Sequence, residues 1–108
     1  VSGATPATVA SLVEYGLLPA DGPYDATCVG IATQAATLHS FGLEPRHLKT
    51  VLQSASREVD LFAPIIKSAR SGKHAASSAQ AEELTLQIAG SLVALHELLV
   101  RTLVAQQR

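Results

Sequence analysis

Four histidines, one cysteine and nine carboxylates are the side chains of this 108-residue chain through which metal, nucleophilic or acid–base chemistry could run. A helical metal site needs two ligands on one face, four residues apart, and His39, His47, His74 and His96 offer no such pair. Nucleophilic catalysis needs a serine or cysteine with a base and an orienting acid. Here no Gly-x-Ser-x-Gly elbow occurs, and aspartate stands only at 21, 25 and 60, the first two at positions that suit a turn and a helix cap. The adjacent Glu82 and Glu83 open a helix, where they complement its dipole. Gly72-Lys73 lacks the preceding glycine and strand of a phosphate-binding loop. The reading is therefore of a chain with no catalytic residues, no metal site and no cofactor.

Binding is the remaining class of function. Eight basic and nine acidic side chains give a net charge of −1, whereas a duplex reader draws most of its affinity from a basic face meeting phosphates. Arg46, His47 and Lys49 form one small cluster, and Lys67, Arg70, Lys73 and His74 another at a helix C-terminus, where cations are favourable on their own account. The first helix holds no Arg, Lys, Asn or Gln, so it has nothing with which to read base edges. No DNA contact is expected from this chain itself.

The elements that must position any surface are helical. Hydrophobic residues make up 47% of the chain with only two Tyr, two Phe and no Trp, which suits an aliphatic, alanine-rich all-α core. Thr5 and Pro6 read as N-cap and first helical position, Val9, Leu12 and Val13 as the apolar face, and Gly16 as the stop, giving a helix over about 6–15. Residues 19–23 crowd turn formers together, either as a shortened two-stranded wing or as a plain connector. Asp25 caps a second helix with Cys28, Ile31, Ala32, Ala35 and Leu38 on one face, closed by Gly42. Cys28 on that face reads as an inert core thiol, His39 and His96 as partly buried, and His47 as exposed. Glu44-Pro45 opens a third helix whose apolar spacing runs unbroken from Leu48 to Ala69. Pro64 should kink it near 60–64, or split it in two. Residues 71–78 form the next loop.

The last helix, about 79–105, carries two apolar stripes. Leu84, Ile88, Leu92, Leu95, Leu99 and Leu103 make the first, and Leu86, Ala89, Val93, Val100 and Val104 the second. Together they span an arc of roughly 200°, against the ~100° that a surface helix needs to cover one core. An antiparallel hairpin with the third helix takes one stripe, leaving the other for the first two helices or for a second copy of the chain. The candidate dimer interface is thus Leu86, Ala89, Val93, His96, Val100 and Val104, with Glu97 and Arg101 paired on the polar side. No charge-free apolar run reaches the ~20 residues that cross a bilayer, so no membrane span is expected. The lone cysteine suits a reducing, cytoplasmic setting.

The order of parts over 8–52, a short helix ending Tyr-Gly-Leu-Leu-Pro, a turn, a helix closed by Phe-Gly and a helix opened by Glu-Pro, resembles the winged helix-turn-helix of MerR-family transcription regulators. Thr8, Val9, Gly16, Leu17 and Leu18 keep that family's scaffold. Ala10, Ser11, Leu12 and Val13 stand where its DNA-facing Arg, Tyr, Tyr and Glu would be. The run Phe-Gly-Leu-Glu-Pro-Arg-His-Leu-Lys at 41–49, with the long helices after it, is similar to the C-terminal half of a group of actinobacterial MerR-family regulators. The resemblance implies a degenerate winged helix (1–55) followed by a helical hairpin (56–108), used for dimerisation and for binding a small-molecule or peptide effector. Having only Cys28, the chain departs from metal-sensing members. It opens at Val1 and holds no Met, which leads to the expectation of a longer protein that reaches DNA through a domain in front. The competing reading is an interaction module that takes a partner helix or peptide in an apolar groove.

Overall fold

The computed structural model describes residues 3–71 and 78–107; of the loop expected at 71–78, residues 72–77 lie outside them, whereas Ser71 ends one helix and Ser78 opens the next. Four helices make up the described residues, α1 (Pro6–Glu14), α2 (Ala26–Ser40), α3 (Pro45–Ser71) and α4 (Ser78–Ala105), and no strand is found among them. They fall into two compact units, Val1–Ser56 and Arg57–Arg108, with the boundary inside α3.

In the first unit, local chemistry sets each helix end. The Thr5 hydroxyl oxygen accepts the Thr8 N–H at 3.1 Å, and Pro6 follows at a position whose N–H no helix uses. At the other end Gly16 takes φ +84°, its N–H donating to the Val13 carbonyl (3.1 Å) and that of Leu17 to Leu12 (2.8 Å). This is the Schellman closure, and α2 ends the same way. Gly42 at φ +103° donates to His39 and Leu43 donates to Leu38, both at 3.0 Å. The Asp25 carboxylate caps α2 through the Cys28 N–H at 2.9 Å. His47 does more than the sequence suggested. Although exposed, its Nδ1 accepts the Glu44 N–H at 2.9 Å, a capping-box arrangement at the start of α3.

The segment between α1 and α2 is a connector, not a wing. It is held by the Tyr24 hydroxyl donating to the Pro19 carbonyl at 3.2 Å. It is too short for two paired strands. Around it Leu12, Leu18, Ala32, Ala35 and Leu48 form the buried core of the unit, with Val9, Val13, Cys28, Ile31 and Leu38 packed against them. Leu12 is fully enclosed.

In the second unit, α3 and α4 run antiparallel. Arg70, near the end of α3, pairs with Glu82, near the start of α4, at 3.2 Å, and Glu58 meets His96 at 2.7 Å further along. Pro64 neither stops nor splits α3. An internal proline costs about 3 kcal/mol. The packing of Phe62 and Ile66, both half-buried on the same stretch, opposes that cost. What the unit lacks is a core: among its described residues only Ala81 is buried.

Two outcomes follow for the first unit. Replacing Leu12 with Ala should destabilise it by roughly 2–5 kcal/mol, the range for an aliphatic side chain lost from a closed core, read as a lower midpoint in urea unfolding. Hydrogen bonding to the Cys28 backbone holds the Asp25 carboxyl below its usual 3.8. Its folded value is depressed, so its capping contribution is complete above that pH and lost as pH falls through the folded value. The same carboxylate, hydrogen-bonded to the thiol, is the first cause and desolvation the second that raise Cys28 above its usual 9.0. Asp25→Asn should speed reaction of Cys28 with a disulfide reagent at neutral pH and flatten the acid limb of the unfolding curve. An unchanged thiol rate would refute the coupling.

Candidate functional site

Among the described residues no three of His, Cys, Asp and Glu gather into a possible metal site. His39 is exposed rather than partly buried, because it follows the last buried turn of α2. His96 keeps 46% of its side chain exposed and turns to Glu58, so the hairpin itself engages this member of the candidate interface. His74 and Lys73 lie outside the described residues.

One side of α1 lines a cleft of about 340 Å³. Thr8, Ser11 and Tyr15 stand on one side, with His39, Glu44 and Arg46 on the other. The Arg46 Nε lies 2.8 Å from a Glu44 oxygen, which answers the one cation in the cleft from within. Arg70 of the second basic cluster is likewise paired, with Glu82. Hydroxyls and an internally neutralised guanidinium are a poor footing for a phosphate backbone.

Two apolar surfaces are the prominent features. The first is a groove of about 550 Å³ in the Val1–Ser56 unit, running along Thr27, Gly30, Ile31, Gln34, Ala35 and Leu38 of α2. Leu48 and Val51 of α3 form its other wall, with Leu17 beside them. None of its lining residues is charged, and α2 as a whole contains no Lys, Arg, Asp or Glu. Gly30 opens onto free space, with nothing within 4 Å of where a Cβ would stand. The spacing of the α2 face was legible in the sequence, but its openness was not.

The second surface is α4. The stripe expected to be covered by α3 is only partly so: Ile88 and Leu92 are half-buried, whereas Leu99 and Leu103 remain 52% and 58% exposed. A two-helix hairpin has a single seam. On the second stripe Leu86, Val93, Val100 and Val104 are 44–67% exposed, and Ala89 is exposed too. Between the helices Phe62, Leu84, Ile88, Leu92 and Leu95 border a smaller apolar hollow of about 280 Å³. Over Ala79–Ala105 the mean hydropathy reaches 1.6, so by length and composition α4 could cross a bilayer. Counting only charge-free runs missed this, because Glu97 and Arg101 interrupt the run without lowering its average below that of a span.

Comparison with known proteins adds the lineage. The chain is 31% identical over 87 residues to an uncharacterized HTH-type transcriptional regulator of Mycobacterium tuberculosis, Rv1828, and equally to its counterpart Mb1859 of Mycobacterium bovis. The matched stretch is 77% of this chain and 34% of each relative, so the chain spans about a third of the length of these proteins. The family described as the Rv1828-like, C-terminal domain matches residues 1–108, and the chain belongs to that family.

Proposed function

We propose that this chain is the regulatory and dimerisation domain of a MerR-family transcription regulator, joining two copies of a protein that reaches DNA through another domain. The observation that carries it is the second unit, a hairpin in which Ala81 alone is buried among the described residues while nine large aliphatic side chains of α4 are exposed. Two helices without a core are not independently stable, since helical stability in proteins comes mainly from packing an apolar face. A monomer seldom displays a contiguous apolar patch beyond a few hundred Å². A second copy is the simplest cover, because a two-fold axis lets one face satisfy itself. Lipid could cover the same surface. Glu97 and Arg101, paired at 2.7 Å, place charges on α4, and the imidazole of His96 and the Glu58 carboxylate of α3 meet at 2.7 Å, polar groups that a bilayer would penalise.

The relatives' naming as HTH-type transcriptional regulators supports the regulatory role. The altered first helix supports assigning DNA contact to a different domain. In this reading the domain sets the spacing of two DNA-binding domains, and an effector that shifts the dimer would alter how they meet a promoter. Catalysis has no place in it, and the setting is the cytoplasm.

Size-exclusion chromatography with light scattering should give a dimer at micromolar concentration, and a clean monomer at high micromolar concentration would remove the proposal. Replacing Val93 and Val100 together with Lys should yield a monomer of unchanged helical content by circular dichroism. Unfolding would instead assign the second stripe to an internal core.

A further inference from the structure

Resting on the dimer reading, we propose that the uncharged groove of the Val1–Ser56 unit is occupied by the last three turns of α4 from the second copy, reciprocally across the two-fold axis. The groove lies between two helices, so whatever fills it must be apolar toward both walls. That takes an arc wider than the ~100° facing a single neighbour. The end of α4 meets this requirement. There both stripes stay exposed, Leu99 and Leu103 on one, Val100 and Val104 on the other, with Leu98 beyond them also exposed. Pairing of α4 with α4 would cover one stripe and leave the rest in water.

Length and charge agree. From Thr27 to Leu38 the groove runs about 16 Å along α2, and Leu95 to Val104 is about 14 Å of helix at ~1.5 Å per residue. With no charged residue among those lining the groove, an aliphatic helix face enters without stranding an ion, whereas an acidic or basic peptide would bury one unpaired. Gly30 and Ala35, small residues mid-groove, permit close approach of a helix backbone. Area points to the same arrangement. A stable interface removes roughly 800 Å² from each partner, more than a single helix-on-helix seam offers, and reciprocal seating makes the contact twice.

Gly30→Glu and Val100→Lys test this in the 108-residue chain. A side chain at position 30 has free space and replaces a helical glycine, so the first variant should fold at least as well as the parent. Each variant alone should weaken dimerisation at least about 100-fold, the scale of burying one unpaired charge per contact. Mixed, they should recover the dimer. One contact of the mixed dimer is then unaltered, and the other sets the new Lys on α4 against the new Glu in the groove. Analytical ultracentrifugation reads all three. A Gly30→Glu chain that dimerises like the parent, or a mixture that stays monomeric while the parent dimerises, overturns the groove assignment and leaves the dimer intact. A monomeric parent overturns the dimer itself. Loss of dimer in both variants with recovery on mixing excludes α4-on-α4 pairing, in which Val100→Lys would fail in any mixture.

Discussion

A helix packed against one neighbour can hide about a third of its circumference, and α4 carries twice that amount of aliphatic surface. This single geometric limit governs the second unit. Ile88 and Leu92 are half-buried and border a hollow with Phe62 of α3, Arg70–Glu82 and Glu58–His96 link the two helices, and the leucines and valines of the last three turns of α4 stay exposed. In water such a surface calls for another polypeptide to complete it. The function proposed for the domain rests on that incompleteness, Ala81 being the one buried residue among those described in the second unit.

The first unit is built on the opposite principle, with its backbone ends closed from within. Threonine, aspartate and histidine satisfy the N–H groups that open three helices, and two glycines with positive φ close α1 and α2. Its core is small, centred on Leu12, and depends on alanines that let α2 approach closely. Small side chains that serve the interior also leave α2 shallow on its outer side, and that produces the groove. In its cleft Arg46 is paired with Glu44, and Thr8, Ser11 and Tyr15 bring hydroxyls to the same surface.

Much of this architecture could be read from residue order because it rests on local chemistry. Thr5-Pro6, Asp25, Gly16 and Gly42 act within four residues of where they stand, and their roles in the structure are those their types suggest. Pro64 was harder, since its effect is the balance between a lost backbone bond and the packing of Phe62 and Ile66, which spacing alone cannot weigh. His39 and His96, expected to be partly buried, are exposed for a related reason. A helical projection gives the side of a helix on which a residue lies, but not whether anything lies opposite.

The order of residues by itself determined the all-helical class, the helix ends and the apolar periodicity of α3 and α4, because each follows from short-range backbone chemistry or from composition. Only the tertiary structure decided how far α3 covers α4, that the connector makes no wing, that His96 meets Glu58, and that an uncharged groove opens along α2. Those outcomes depend on which distant residues arrive at the same place, and burial is a property of neighbours rather than of the residue buried.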